Sequence, residues 1–438
     1  MRTHKGALLR IAVNEDRKRF WTVCWLAGSL AIGVIAGGGL RAGYERGDSS
    51  AVPAAMRGAV AEAGDRMLLA DGRPAPEYFE NVQRIILRHF VEPVADETPL
   101  ADGAVKGMVE DLNTTGTDFY KPDLWGAVRD YYQGEAHGIG ALVQLVRKER
   151  GNETIYPLVV LAVAEGSPAQ EAGIRPGDWI EFVNGHWVGS RSLRPEWEAL
   201  HEQRDKSEIT QEEFRERLDA LYERVEKMIF WDKAMHELVA EDRGTVEVTT
   251  LRDGKERTHR LARRVTSFKP IELSGDTVRI RTFPKGAAER LRSLLAGRES
   301  ITLDVRNNPG GAQEDVLETL SVFVPSQTLF VRQRPGEPPK ALMTPAGDGP
   351  YPQVTVVADA TTSREAEVFI AALRAAGAHV RGEETFGLGI QVARYDLPSG
   401  AGYTVTRGVY LDAEKSPLLR NGYLLRPTAA PPAEEEQE

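Results

Sequence analysis

Residues 301–311 read Ile-Thr-Leu-Asp-Val-Arg-Asn-Asn-Pro-Gly-Gly, and this stretch restricts the fold more than any other in the chain. Ile301, Leu303 and Val305 alternate with polar neighbours, the period of a half-buried strand, while Pro309 and the two glycines forbid its continuation. A strand must therefore stop near Arg306 and give way to a tight turn. Gly310 and Gly311 have no side chain to shield their amides, so their N–H groups can approach a ligand and face developing negative charge. They are candidate oxyanion donors. Around this turn, strands predicted at 278–283, 329–332 and 353–358 alternate with helices predicted at 287–295, 314–323 and 365–376, which implies an α/β core.

A chain of 438 residues has room for about two to four domains. Its net charge of -10 and the dispersal of Lys and Arg among acids argue against a nucleic-acid partner. The single cysteine, Cys24, excludes internal disulfides and thiolate-rich metal sites. The eight histidines show no paired ligand spacing, so neither a metal nor another cofactor is predicted. Residues 20–40 carry no charge and approach the roughly 20 residues that a helix needs to cross a bilayer. Arg10, Arg17, Lys18 and Arg19 precede this segment and only Arg41 and Arg46 closely follow it, which puts residues 1–19 in the cytoplasm and the bulk outside. A cleaved signal peptide is the competing reading, but its apolar region is normally shorter, about 7–15 residues.

Residues 41–76 read as a tether. Residues 77–136 read as a helical lead-in, with Phe79, Val82, Ile86 and Phe90, then Leu100, Ala104, Met108 and Leu112, at helical spacing. Pro93 and Pro99 separate its first two helices, and a polar loop at 114–121 precedes a third at 124–132. His137-Gly-Ile-Gly140 then opens a β domain at 137–266, with strands at 141–146, 157–163, 179–183, 245–251 and 257–261 and a helix at 231–239. Residues 192–228 interrupt it. There Thr210 and Glu213 form a capping box, and Phe214, Leu218, Leu221, Val225 and Met228 make an amphipathic stripe, so a helical hairpin is predicted. The α/β core occupies 267–427, and 428–438 is an acidic tail expected to be disordered.

The β domain resembles a PDZ domain of the circularly permuted bacterial kind. The resemblance places Gly138, Ile139 and Gly140 in the loop whose amides would cradle a peptide's terminal carboxylate. The PDZ-like domain, Asp304-Val-Arg-Asn-Asn-Pro-Gly-Gly311 and Gly382-Glu-Glu-Thr-Phe-Gly387, in this order, together resemble the tail-specific, or C-terminal processing, serine peptidases. The expected fold is a mixed α+β multidomain chain: a transmembrane helix, the lead-in, the PDZ-like domain with its insertion, and a peptidase-type α/β core. The apolar run and its flanking charges predict a single-pass protein of the bacterial cytoplasmic membrane with its bulk in the periplasm or outside, and the resemblance implies that it takes protein C-termini or unfolded polypeptide as partners.

In that family a serine attacks the peptide bond, a lysine is the general base and a glutamine orients the lysine. Matching Glu367-Val-Phe-Ile-Ala-Ala-Leu373 to the family's helix puts Ala366 at the nucleophile. The family's Thr-Phe-Gly-Lys-Gly reads Thr385-Phe-Gly-Leu-Gly389 here, which puts Leu388 at the base. Gln391 falls where the glutamine is expected, allowing one gap. A hydroxyl and a neutral amine are both required, and losing one already removes most of the catalysis. The resemblance thus predicts a pseudopeptidase that binds without cutting. The alternative is an active peptidase built around Ser363, a residue that otherwise reads as a helix N-cap; the sequence identifies no base for it, since nothing places Lys415, the nearest downstream lysine, at the glycines and His379 reads as a loop residue between a helix and a strand.

Overall fold

The computed structural model describes residues 75–150, 153–189, 193–240, 244–326, 328–334, 336–347, 352–412, 415, 417 and 418. The predicted membrane segment, the tether up to residue 74 and the acidic tail lie outside the described residues. Among the described residues no helix is long and apolar enough to cross a membrane.

The chain divides after Asn113 into two units. In the first, helices Ala75–His89 and Thr98–Asp111 follow the predicted spacing. Pro99 lies inside the first turn of the second helix, where its missing N–H costs no hydrogen bond. The third predicted helix, Pro122–Gln133, belongs to the second unit instead. The segment before it is not a solvated loop. Residues 116–120 are buried, and Phe119–Tyr120 is a short strand paired with Gly402–Leu411.

The PDZ-like sheet runs in the order Lys255–Ala262, Thr245–Arg252, Trp179–Val183, Leu158–Val163, Ala141–Leu145. All six residues of Leu158–Val163 are buried, as an apolar run in an inner strand requires. Helix Trp231–Val239 closes one face through Ala234, Met235 and Leu238. The interrupting segment forms helices Arg194–Asp205 and Gln211–Glu226. Thr210 caps the second, accepting from the Glu213 amide at 3.1 Å while the Thr210 amide donates to the Glu213 carboxylate at 2.8 Å. The stripe packs within the hairpin, with Phe214 and Leu218 against Leu200.

The chain enters the PDZ-like domain through Glu135–Ala136 and leaves it through Thr266–Ser267, and these two segments pair with one another. The central sheet follows, in the order Ile271–Ser274, Thr277–Ile280, Ser300–Asp304, Gln353–Ala358, His379–Gly382, parallel apart from its first pair. Helices Ala287–Leu295, Gln313–Leu320 and Glu365–Ala375 pack on it around Phe283, Phe323 and Phe369. Burying a side chain the size of Phe369 contributes about 2–3 kcal/mol. Strands Thr328–Arg332, Lys340–Met343, Ile390–Asp396 and Gly402–Leu411 form a second, antiparallel sheet. In open α/β sheets ligands bind beyond the carboxyl ends of the parallel strands, and both segments singled out in the sequence, 305–311 and 359–366, leave strands at that end.

Candidate active site

Asn308 organises the turn after Ser300–Asp304. It is fully buried, donates through Nδ2 to the Ile280 carbonyl at 2.8 Å and accepts the Ser363 amide on its own carbonyl at 2.9 Å. Its Oδ1 accepts the Gly310 amide at 2.8 Å. This corrects half of the predicted oxyanion hole, since the Gly310 N–H is already spent inside its own turn. Among the described residues the Gly311 amide has no acceptor. Both glycines are demanded by close approach: a Cβ on Gly310, at φ +89°, would meet the Glu365 carboxylate, and one on Gly311 would lie 2.6 Å from the Phe283 carbonyl.

Asn307 adopts φ +58°, a left-handed conformation that asparagine tolerates. Its side chain grips the PDZ-like strand Leu158–Val163 twice, accepting from the Val163 amide at 2.9 Å and donating to the Val163 carbonyl at 2.7 Å. The turn that would hold a substrate carbonyl is thereby tied to the PDZ-like domain.

Facing this turn is the bend between Gln353–Ala358 and Glu365–Ala375. Its strained residue is Arg364, at φ 59° and ψ -128°, a region that L-residues rarely occupy. Hydrolases hold their nucleophile on such a sharp strand-to-helix turn. Here that backbone carries a guanidinium. Ala366, the predicted nucleophile position, is instead two residues into the helix, with its methyl fully buried in the central core. The helix fixes the register of Glu367 correctly, but nothing in the residue types reveals where the backbone turns.

Ser363 is fully buried and its hydroxyl has no hydrogen-bond partner, so it is neither a cap nor paired with a base. The cap comes from the other direction: Glu367 accepts the Arg364 amide at 3.0 Å. The same carboxylate accepts the Thr385 hydroxyl at 2.6 Å, the Gly387 amide at 2.7 Å and the Leu388 amide at 2.8 Å, pinning Thr385-Phe-Gly-Leu388 against the site helix. Burial pushes Glu367 up to about 7, and these four donors oppose the rise. Glu367 was legible in the sequence only as part of a helix.

Leu388, at the predicted base position, is buried among Tyr131, Tyr132, Leu142, Leu161, Ile390 and Val392. It joins the PDZ-like sheet to the second sheet of the core. Gln391 donates to Gln313 Oε1, which also accepts the Tyr410 hydroxyl at 2.9 Å, so its amide orients no amine. His379 begins its strand and therefore lies at the opposite edge of the sheet, and the Lys415 ammonium sits over the Phe330 ring at 5.1 Å.

The space between the two turns is closed and filled with charge. Arg364 and Glu365 are both buried, 4.0 Å apart, and both Glu365 oxygens lack a hydrogen-bond donor. Arg394 lies over the Tyr132 ring at 4.7 Å and donates to the Gly311 carbonyl at 2.9 Å, while Arg364 reaches the Tyr132 hydroxyl at 3.5 Å. No cleft residues form a metal-ligand set. Among the described residues the one such grouping is Asp130, Glu135 and His137, at the base of the PDZ-like domain, which the spacing of histidines did not signal.

The predicted carboxylate loop is also engaged. The Ile139 amide donates to the Leu238 carbonyl at 2.9 Å and the Gly140 amide to the His137 carbonyl at 3.0 Å, and a Cβ on Gly138 would collide with Leu238. In this conformation the end of helix Trp231–Val239 occupies the cradle that Gly138, Ile139 and Gly140 were expected to offer. The neighbouring strand Ala141–Leu145 is an edge of its sheet.

Residues 274–423 match the sequence profile of peptidase family S41, and residues 159–196 match that of the PDZ domain. A protein described as a "Probable CtpA-like serine protease" of Staphylococcus aureus (strain COL) is 22% identical over 335 residues, covering 74% of this chain and 58% of the relative. The one so described from Staphylococcus haemolyticus (strain JCSC1435) is 22% identical over 315 residues, covering 69% and 54%. The chain thus spans little more than half the length of these relatives. Among solved structures, a photosystem II D1 C-terminal processing protease superposes with a TM-score of 0.51 at 20% identity, covering 79% of this chain and 90% of that one. With both profiles in the expected order on this fold, the chain is similar to the tail-specific, S41 peptidases that carry a PDZ domain.

Proposed function

We propose that this protein is a pseudopeptidase: it binds protein C-termini or unfolded segments through its PDZ domain and does not cleave them, acting as an adaptor or regulator. The observation that carries this reading is the strained turn occupied by Arg364, with Leu388 committed to an apolar cluster across from it. A guanidinium stays protonated and offers no nucleophilic lone pair, and a leucine cannot accept a proton. The reading keeps the PDZ domain as the binding element because Ala141–Leu145 leaves an edge to which an extended peptide can add. Since the end of helix Trp231–Val239 sits on the Gly138 to Gly140 loop, peptide entry requires that contact to open. An anchor at residues 20–40, with the bulk outside the cytoplasm, belongs to the same proposal and rests on the apolar run and its flanking charges.

The test is to incubate the protein with unstructured polypeptide and with a serine-reactive phosphonate while measuring peptide binding in parallel. Saturable binding of free-acid peptides, no hydrolysis and no adduct are expected. An adduct at Ser363 that disappears in Ser363→Ala would establish the active alternative.

A further inference from the structure

Asp130, Glu135 and His137 converge where the chain enters the PDZ domain. Asp130 lies in the last turn of Pro122–Gln133, and Gly134, at φ +100°, reverses the chain so that Glu135 and His137 return beside it. His137 Nε2 is 3.1 Å from Asp130 Oδ2 and 3.6 Å from Glu135 Oε1. The three ligating atoms all lie within 4.8 Å of one another. The imidazole is held by its surroundings, its side chain only 9% exposed, whereas the two carboxylates are 50% and 51% exposed and free to adjust.

We propose that this triad binds a divalent transition cation, Zn²⁺ in the first instance. Zn²⁺ takes nitrogen and oxygen ligands at about 2.0–2.1 Å in a tetrahedron, which sets neighbouring ligand atoms about 3.3 Å apart. The two separations from Nε2 bracket that value. One neutral imidazole and two carboxylates also cancel the charge of the ion, and a water completes the fourth position. Mixed imidazole and carboxylate donors suit Zn²⁺ better than Mg²⁺ or Ca²⁺, which prefer oxygen alone.

The location gives the ion a task. Glu135 belongs to the two-residue strand that pairs with the exit strand Thr266–Ser267, and His137 immediately precedes the Gly138 to Gly140 loop, its carbonyl accepting the Gly140 amide. A cation joining the helix end, the entry strand and the first loop residue stiffens the root of the PDZ domain and fixes the loop beside it. This site is independent of whether the cleft cuts.

The experiment is a calorimetric titration of the chelator-treated, full-length protein with Zn²⁺, with Co²⁺ absorption reporting coordination. One equivalent is expected to bind and to raise the melting temperature, with a Co²⁺ spectrum of tetrahedral type. Asp130→Asn, Glu135→Gln and His137→Ala are each expected to weaken binding at least tenfold. The two carboxylate variants alter half-exposed side chains, and their melting curves without metal verify that they fold. Absence of saturable binding in the wild type, the result for a plain His-carboxylate ion pair, overturns the proposal. So does binding of equal strength in Asp130→Asn and Glu135→Gln, which would place the ion elsewhere.

Discussion

Arg364 combines three unfavourable circumstances: a backbone conformation that costs on the order of 1–3 kcal/mol, burial of its charge, and a seat at the positive end of a helix dipole. Glu365 is its nearest counter-charge, at 4.0 Å. Removing one member of a buried pair costs about 3–5 kcal/mol, more than the strain it would relieve. Arg364→Gly is therefore expected to lower the unfolding free energy by about 2 kcal/mol, although glycine suits the backbone. The double variant Arg364→Gly/Glu365→Gln should recover most of that loss in a denaturant-based mutant cycle. A fully additive result would mean that the two charges do not interact. Glu367 makes a separate prediction. Its folded pKa, about 7, lies above its ordinary value of 4.5, so its contribution to stability is complete below pH 4.5 and is lost as pH rises through 7. The wild type should lose on the order of 3 kcal/mol across that window relative to Glu367→Gln, which does not titrate. Thermal melts of both proteins at several pH values measure the difference.

Elements with a strict period were legible in the sequence. Trp179–Val183, Gln353–Ala358, Trp231–Val239 and Ala287–Leu295 lie where alternation or helical spacing put them, because each buries one continuous face. Phe119–Tyr120 and Ile271–Ser274 escaped notice because strands of two to four residues carry almost no period, and Lys340–Met343 because its residues are largely exposed. The site was half legible. The glycines announced a close approach, but the use of Gly310's amide by Asn308 and the placement of the bend at Arg364 are tertiary facts, and arginine has no preference for positive φ. Leu388 shows what an apolar residue does at a position the family reserves for an amine: it packs the strand Ala141–Leu145 and the segment before Ile390–Asp396 into one cluster. Leu388→Lys would bury an ammonium among aromatic and aliphatic side chains, at a cost of several kcal/mol unless the amine deprotonates. A lower melting temperature is expected, without any gain of hydrolysis. Hydrolysis appearing in this variant would contradict the reading that Arg364 leaves the site without a nucleophile.

Across the whole molecule, the PDZ domain and the peptidase-type core meet through Asn307 on Val163, Arg281 paired with Glu165, and the Leu388 cluster. These contacts predict that residues 114–418 unfold in one transition. Asn307→Ala, which removes two hydrogen bonds worth about 1 kcal/mol each, should speed amide exchange at Val163 before it lowers the global midpoint. Unchanged exchange would mean that the Asn307 grip contributes nothing to docking.

The pairing of Glu135–Ala136 with Thr266–Ser267 brings both ends of a long module to a single spot. Both covalent connections of the module run through this one short root, so a change there reaches the docked contacts at Val163, Glu165 and Leu388 together. Such a mounting also lets the module be lifted out, or another fitted in its place, without cutting the remaining fold anywhere else.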